Sequence, residues 1–214
     1  MIRFAALILA CAPVLGADEP KPLTDDFEGA KAGAVPKGWT VAKTGTGAGS
    51  AWKVIEDKTA TKGPQVFAQT AESEKAVFNL CVLGDAKFKD VELTVAFKAV
   101  AGDTDQGGGV VWRYKDANNY YVARFNPLED NYRVYKVADG KRVQLETAEK
   151  IVAEAGKWHT LRVTMKGDAI TCALNGKTHL EVKDATFAGA GAVGLWTKAD
   201  ARTSFDDFRA AEPK

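Results

Sequence analysis

Residues 107–137 read GGGVVWRYKDANNYYVARFNPLEDNYRVYKV, with three β-rich runs separated by two short polar segments. The runs cover residues 110–114, 120–126 and 132–137, and the separators are KDANN and PLED. Both separators contain the Asp, Asn or Pro residues that turns favour. Short runs rich in Val, Tyr and Phe between turn segments are typical of sequential antiparallel strands. The stretch therefore predicts a three-stranded antiparallel meander.

Polar and aromatic side chains inside these runs point to a ligand-binding face. Side chains alternate in direction along a strand, so Tyr120, Arg124 and Asn126 should share one face, with Arg113 beside them on the preceding strand. Guanidinium groups suit sugar hydroxyls or a uronate carboxylate, and aromatic rings suit the C–H groups of a pyranose. Cross-strand pairing or plain solvation of the sheet is the alternative. The predicted ligand-binding residues are Arg113, Tyr120, Arg124, Asn126 and Trp196.

The rest of the chain repeats the pattern of short strands and turns. The run at residues 91–99 alternates apolar and polar residues, as expected of a strand with one buried face. Only one brief helix is predicted, at residues 185–188. The chain is therefore predicted to be all-β, a two-sheet antiparallel jelly-roll β-sandwich. The other predicted strands cover residues 51–56, 65–69, 76–80, 142–147, 158–166, 169–174, 179–182, 192–197 and 203–208.

The N-terminal sequence MIRFAALILACAPVLGA indicates export. One basic residue, an apolar run and then small residues are typical of a signal peptide, here residues 1–17. A flexible leader at 18–24 and one sandwich domain at 25–210 follow. The expected location is periplasmic or secreted; the alternative reads ILAC as a lipobox, with Cys11 lipidated. The apolar run is too short to span a bilayer, so no transmembrane segment is expected.

Charge and cysteine content limit the partners. The 29 basic and 28 acidic residues are interspersed along the chain, which does not resemble the basic patch of a nucleic-acid-binding protein. The pair Lys141 and Arg142 is interpreted as solvated turn charge. We expect a monomer that binds carbohydrate and no nucleic acid. Cys81 and Cys172 lie in apolar β-rich runs, where a disulfide and two buried thiols are both plausible.

Acidic residues near the two ends of the domain raise the question of a metal. If the first and last strands pair, their carboxylates would come together, and calcium binds six to eight oxygen ligands. No CxxC or His-rich spacing favours zinc. No cofactor is expected, with a structural calcium ion as the alternative. The acids concerned are Asp25, Asp26, Glu28, Asp206 and Asp207.

Four segments carry a family resemblance: residues 107–142, then GKWHTLRV, then LNGKTHLEVKD, then GAVGLWTKADARTSFDDF. Together they resemble the concanavalin A-like lectin/glucanase superfamily. Within it, the chain is similar to exported bacterial proteins described as family 16 glycoside hydrolase-like or as the 3-keto-disaccharide hydrolase domain. The resemblance covers about residues 25–208. It implies a convex sheet, a concave sheet that receives glycans, and a last strand reading FDD beside a first strand reading DFE.

The sequence departs from the family 16 glucanases in its acidic residues. Those enzymes carry E-x-D-x-x-E on one strand, whereas the acids here, at residues 72–74, 128–130 and 146–149, lack that spacing. Ordinary glycosidases need two carboxyl groups about 5 Å or about 6.5 to 9.5 Å apart. The first hypothesis is therefore carbohydrate binding without turnover. The second is hydrolysis of 3-keto-disaccharides or related sugars, in which the ketone acidifies the adjacent C–H bond and permits elimination by a base, with or without a metal. The third is a laminin-G-like structural or interaction domain.

Overall fold

The structure, a computed structural model, describes residues 21–214, and these residues form fifteen strands and no helix. The predicted all-β class is thereby confirmed. The strands are β1 Leu23–Asp25, β2 Trp39–Thr44, β3 Trp52–Glu56, β4 Gln65–Gln69, β5 Phe78–Phe88, β6 Val91–Ala101, β7 Gly108–Asp116, β8 Asn119–Asn126, β9 Asn131–Ala138, β10 Lys141–Glu149, β11 His159–Lys166, β12 Ala169–Leu174, β13 Lys177–Lys183, β14 Gly191–Lys198 and β15 Arg202–Ala211.

The strands form two antiparallel sheets. The eight-stranded sheet has the order β13-β12-β11-β6-β15-β4-β3, with β1 also paired to β15. The seven-stranded sheet has the order β10-β9-β8-β7-β14-β5-β2. The predicted two-sheet sandwich is confirmed. So is the predicted meander, because β7, β8 and β9 are consecutive antiparallel neighbours.

The hydrophobic core lies between the sheets and follows the alternation of the strands. Val91, Leu93, Val95 and Phe97 of β6 are all fully buried. Phe97 meets Phe125 of β8 across the core, with ring centroids 6.2 Å apart. Burying side chains of this size stabilises the fold by about 1.5 to 3 kcal/mol each. The alternation that predicted one buried face for β6 therefore also identifies the surface that joins the sheets.

Of the predictions for the N-terminal region, some lie outside the residues that the structure describes and one reaches into them. The predicted signal peptide at residues 1–17 and the lipobox at Cys11 lie outside the described residues. The predicted leader at 18–24 overlaps β1, because Leu23 and Thr24 already pair with β15. The first and last strands are therefore neighbours, as the family resemblance implied. Nowhere in residues 21–214 does the chain form a helix with the length and apolarity needed to cross a bilayer.

The predicted helix at residues 185–188 is wrong. Asp184 accepts a hydrogen bond from the backbone N–H of Thr186 at 2.9 Å, which fixes a local turn. The next backbone N–H, from Phe187, donates to the hydroxyl of Tyr121 at 3.1 Å. Because these N–H groups bond to side chains, helical backbone bonds do not form there. The segment instead leads irregularly from β13 to β14.

The two cysteines are buried thiols and do not form a disulfide. Cys81 lies on β5 and Cys172 on β12, and both are unpaired and inaccessible. Burial raises the pKa of the Cys172 thiol to about 12 and also raises the pKa of Cys81. Of the two possibilities the sequence left open, the structure has the reduced pair.

Candidate functional site

The outer face of the seven-stranded sheet, which turns away from the eight-stranded sheet, carries its own side-chain cluster. On β7, Val110 and Trp112 belong to the core between the sheets, whereas Val111 belongs to the outer face. The alternation of a β-strand thus separates the two surfaces. We call this surface the outer face. Its buried apolar members are Phe78, Leu80, Val82, Val111, Tyr120, Val122, Tyr135, Val137 and Trp196.

The outer face is strongly concave. The hydroxyl of Tyr120 on β8 lies 2.8 Å from that of Thr44 on β2, although β2 and β8 are four places apart in the sheet. In a flat sheet four strand spacings would separate the two strand backbones by about 19 Å, more than the side chains of Tyr120 and Thr44 can span. From the far edge strand β10, the Arg142 guanidinium reaches within 4.4 Å of the Tyr135 ring centroid and 5.1 Å of that of Phe78 on β5. The sheet therefore curls around a recess, the hollow side of the outer face.

A position without a side chain lies at the centre of the recess. Trp196 on β14 pairs with Gly109 on β7, and Gly109 pairs in turn with Arg124 on β8. Two strand spacings place Trp196 and Arg124 about 10 Å apart across this gap. A Cβ at position 109 would come within 2.1 Å of the Ala123 carbonyl oxygen, so the close approach of the strands requires glycine. An aromatic ring and a guanidinium thus flank a bare stretch of backbone.

Arg124 is held in place by two neighbours and keeps one donor free. Its Nη1 donates to Asn131 Oδ1, and its Nη2 donates to Glu129 Oε2 at 2.9 Å. Burial alone would raise the pKa of Glu129, but the bonds from Asn131 and Arg124 outweigh it and lower that pKa. The side chain is 2 % exposed, and its Nε has no hydrogen-bond partner.

A buried carboxylate lies at the Asn126 end of the recess. Asp105 accepts hydrogen bonds from Asn126 Nδ2 at 3.2 Å and from Lys198 Nζ at 3.0 Å. Its loop is fixed by Asp200, whose carboxylate accepts three successive backbone N–H bonds of 2.8 to 2.9 Å from residues 103–105. Asp105 is not among the residues predicted from the sequence, because a loop residue has no strand alternation to show which way it faces.

Trp196 and Tyr120 supply the aromatic part of the recess. Both are buried, and the Trp196 ring packs on Phe78 with centroids 5.4 Å apart. Burial raises the pKa of Tyr120 above its usual range. The indole N–H of Trp196 lies near the Tyr120 hydroxyl, but their geometry is not that of a hydrogen bond. Trp196 therefore has a buried donor without an acceptor.

Three of the buried polar atoms that lack a partner belong to residues of the outer face: Trp196 Nε1, Arg124 Nε and Arg142 Nη1. The other two in residues 21–214, Trp52 Nε1 and Tyr132 Oη, belong to the core between the sheets. A buried donor without an acceptor costs about 1 to 3 kcal/mol. Such groups are rare in native proteins, and each calls for an explanation. Their concentration here makes the recess the candidate binding site.

Arg113 does not belong to the recess, and the expectation that it shares a face with Arg124 is wrong. Its φ of 46° lies in a region where the β7–β8 register shifts, which redirects the side chain. Its guanidinium donates to three carbonyl oxygens, of Lys89 at 2.8 Å and of Phe187 and Gly167 at 2.6 Å each. Arg113 thus anchors three loops at one end of the sandwich. Tyr120, Arg124, Asn126 and Trp196 do share the outer face.

Arg142 belongs to the recess, contrary to its interpretation as solvated turn charge. It is the second residue of β10, an edge strand, where the turn composition suggested exposure. The curl of the sheet brings its side chain over Tyr135 and Phe78 and partly buries it. No pattern along the sequence reports this curl, so the residue could not be found from the sequence.

Residues 22–210 match the family described as the 3-keto-alpha-glucoside-1,2-lyase-like domain. The chain belongs to this family. No curated protein matches the sequence of this lyase-like domain. Similar solved structures include the carbohydrate-binding module CBM66 from Bacillus subtilis, with TM-score 0.63 and 19 % identity over 82 % of this chain and 96 % of that one.

Two further structures extend the comparison. A Bacteroides ovatus GH16 protein of a mixed-linkage glucan locus, in complex with a G4G4G3G product, has TM-score 0.61 and 12 % identity over 88 % of this chain and 99 % of that one. The cellulose-induced protein Cip1 has TM-score 0.62 and 11 % identity over 89 % and 97 %. At these identities the likeness shows the fold. The lyase-like domain is a concanavalin A-like jelly roll, as the sequence resemblance predicted.

The acids that prompted the calcium hypothesis are engaged by protein donors. Asp25 accepts hydrogen bonds from Trp39 Nε1 at 2.8 Å and from the backbone of Phe27 at 2.9 Å. Asp206, fully buried, accepts from the backbone N–H of Lys62 at 2.8 Å. Within residues 21–214 of the lyase-like domain, no three His, Cys, Asp or Glu side chains are grouped to hold a metal ion. Structural calcium at the five acids, Asp26, Glu28 and Asp207 included, stays a prediction.

Proposed function

We propose that this lyase-like domain binds a carbohydrate in the recess of its seven-stranded sheet. The observation that carries the proposal is the set of buried donors without acceptors, Trp196 Nε1, Arg124 Nε and Arg142 Nη1. Sugar hydroxyl and ring oxygens are acceptors that would satisfy them. A ligand that fills the recess would remove the desolvation cost of each donor.

The shape and composition of the recess support a sugar in particular. Sugar-binding sites combine flat aromatic faces with a few fixed polar groups. Here Trp196 and Tyr120 provide aromatic surface, and Arg124 and Asn126 are fixed by Asn131 and Asp105. The carbohydrate-binding module and the product-bound GH16 protein, which share the fold, lend further support.

A second candidate function is 1,2-elimination of a 3-keto-glucoside, favoured by the family match and by Asp105. The ketone acidifies the C2–H bond, so one carboxylate suffices as base and no E-x-D-x-x-E pair is needed. The C2 proton would pass to Asp105, the C1–O bond would break, and the aglycone would leave and take a proton from water. Donors on Arg124 and Trp196 would stabilise the enolate oxygen. Both histidines lie on the eight-stranded sheet, in β11 and β13, so the base proposed here is a carboxylate, that of Asp105.

A paired screen tests both functions. The purified protein is titrated with neutral and acidic oligosaccharides and with 3-keto-glucosides, and binding and product release are both recorded. We expect saturable binding that Trp196→Ala and Arg142→Ala weaken at least tenfold. The matched control is Arg162→Ala, an exposed arginine on β11 of the other sheet. Arg124 is less suitable, because its removal also breaks the bonds to Asn131 and Glu129.

The outcomes separate the classes of function. Binding without product supports a carbohydrate-binding domain. Product that disappears in Asp105→Asn supports the lyase. The absence of both binding and product contradicts both proposed functions and would favour the laminin-G-like interaction domain.

We further propose that the protein is exported to the periplasm or secreted, as a monomer that does not bind nucleic acid. The support is the signal-like sequence of residues 1–17 and the interspersed charge. Cell fractionation with mass spectrometry of the mature N-terminus tests the export. A start at residue 17 or 18 is expected, whereas a lipidated Cys11 would show the alternative, and an intact Met1 in the cytoplasm would contradict export.

A further inference from the structure

The cations of the recess differ in one respect, which is whether an acid neutralises them. Lys198 pairs with Asp105 at 3.0 Å, and Arg124 pairs with Glu129 at 2.9 Å. Arg133, which borders Arg124 on β9, pairs with Glu129 at 3.2 Å and with Glu149 at 3.1 Å.

Arg142, by contrast, forms no ion pair with any residue from 21 to 214. Its guanidinium stacks on the rings of Tyr135 and Phe78, and its Nη1 is buried without a hydrogen-bond partner. Burial lowers the pKa of Arg142 and the positive charge of Arg124 lowers it further, and the opposing effects of Tyr135 and Asp105 do not outweigh them. A partly buried guanidinium without a counter-ion is costly, because the protein must desolvate a charge that nothing neutralises.

None of the acids of the recess forms an ion pair with Arg142, because each is engaged elsewhere, and the charge of Asp105 acts on the Arg142 pKa only through space. Asp105 is bound by Lys198 and Asn126, and Glu129 is bound by two arginines. Counting the paired groups together with Arg142 gives four cations and three acids, a surplus of one positive charge. The cations are Arg124, Arg133, Arg142 and Lys198, and the acids are Asp105, Glu129 and Glu149.

We propose that the carbohydrate bound in the recess is acidic, a uronate whose carboxylate is bound by Arg142 with help from the free Nε of Arg124. This inference rests on the proposed function and names the ligand class of the same site. A carboxylate matches the fork of donors on a guanidinium and would neutralise the surplus charge. Trp196 Nε1 is left for a hydroxyl or ring oxygen of the same sugar. A neutral sugar would leave the charge of Arg142 uncompensated.

The test is isothermal titration calorimetry with a matched pair of ligands. One ligand is a glucuronic-acid oligosaccharide, and the other is a glucose oligosaccharide of the same linkage and length. We expect the acidic ligand to bind about ten- to a hundredfold more tightly, because charge-assisted hydrogen bonds contribute about 1.5 to 3 kcal/mol. Its affinity should fall as salt concentration rises.

Two substitutions at Arg142 and one elsewhere complete the test. Arg142→Gln should weaken the acidic ligand far more than the neutral ligand, so that the preference for the acidic ligand disappears. Arg142→Lys should restore part of the preference, because lysine restores the positive charge but not the paired N–H donors of a guanidinium. Arg162→Gln on the other sheet should change neither affinity. Thermal melts of all variants show whether each is folded.

The outcomes keep the two proposals apart. Equal affinity for the acidic and the neutral ligand overturns the acidic-sugar inference and leaves the proposed function standing. No binding of either ligand contradicts the proposed function itself. Elimination of a 3-keto-glucoside that Arg142→Gln abolishes, without any uronate preference, overturns the inference in favour of an enolate-binding role for this arginine.

Discussion

The hydroxyl groups of Thr44 and Tyr120 lie 2.8 Å apart, and this contact joins β2 to β8 across the hollow side of the seven-stranded sheet. Thr44 also donates to the carbonyl of Ala117, in the turn between β7 and β8. The edge strand β2 and the central hairpin therefore meet over the recess. Because Tyr120 lies beside Trp196, we expect a ligand that reaches Trp196 to pass this contact, which should then affect entry as well as stability.

Removing the Tyr120 hydroxyl should loosen this contact. Tyr120→Phe keeps the buried ring but loses one hydrogen bond, which should lower the free energy of unfolding by about 1 kcal/mol. Sugar association, followed by stopped-flow tryptophan fluorescence, should become faster. The control is Tyr114→Phe, whose ring packs 6.0 Å from that of Tyr120. Unchanged stability together with an unchanged association rate would contradict this role.

Arg113 should matter for stability and not for binding. Arg113→Ala leaves the carbonyl groups of Lys89, Phe187 and Gly167 without their donor. We expect a loss of about 3 kcal/mol, or a fall in Tm of roughly 6 to 12 °C. Differential scanning calorimetry measures it, with Arg162→Ala as the exposed control. A clear loss of sugar affinity with an unchanged Tm would return Arg113 to the binding site.

Asp184 should make stability depend on pH in the acid range. Burial alone would raise the pKa of Asp184, but the bonds from Lys136, Thr186 and Tyr121 outweigh it and hold the pKa well below its ordinary value of 3.8. A carboxyl with a depressed pKa stabilises the fold above the unfolded-state pKa, and the stabilisation is lost as pH falls through the folded-state pKa.

The difference in unfolding free energy between wild type and Asp184→Asn should therefore be largest above about pH 4 and shrink as pH falls further. Urea titrations at several pH values measure this difference. Asp103→Asn, an exposed acid, provides the baseline. A difference that does not change with pH would mean that the charge of Asp184 contributes nothing to stability.

Tyr121, the hydrogen-bond partner of Asp184, should make stability depend on pH in the alkaline range. Burial, followed by the bond to Asp184, raises the pKa of Tyr121 to about 12. Its contribution to stability is fully present below the unfolded-state pKa of about 10 and is lost as pH rises through the folded value. Tyr121→Phe should therefore weaken the alkaline loss of stability, which ultraviolet titration of tyrosine together with melting curves would show. An identical alkaline limb in both proteins would count against it.

The two buried thiols should react only when the fold opens. Cys81 and Cys172 are inaccessible, and burial raises their pKa values, so little thiolate is present at neutral pH. Iodoacetamide labelling followed by peptide mass spectrometry should find both cysteines unmodified in the native protein and modified in guanidinium chloride. A disulfide-linked peptide pair, or rapid native labelling, would show that the thiol state is different.

Sequence alternation predicted the fold and part of the site. The runs that became β7, β8 and β9 had strict strand patterns and clear turn residues, and Tyr120, Arg124 and Asn126 share a face as a period of two requires. Arg113 broke that period, because a register shift and a positive φ turn one residue out of the alternation.

Two residues of the recess could be assigned to it only from the tertiary structure. Asp105 is placed by three backbone hydrogen bonds to Asp200, some hundred positions away in the chain. Arg142 enters the recess only because the sheet curls enough for β10 to approach β5. Curvature arises from the twist and bulges of all seven strands together, so no local pattern reports it. Recess residues contributed by edges and loops are therefore the ones that the sequence did not show.

The central claim is that a sugar occupies the recess beside Trp196. The chain has five tryptophans, so its proton–nitrogen NMR spectrum should contain five indole N–H signals, and Trp196→Phe assigns one of them. When an acidic oligosaccharide is added, the Trp196 signal should shift progressively and saturate, because its unpartnered N–H gains an acceptor. A ligand that binds while leaving the Trp196 signal unmoved, or the absence of any shift with every sugar tested, would contradict the account.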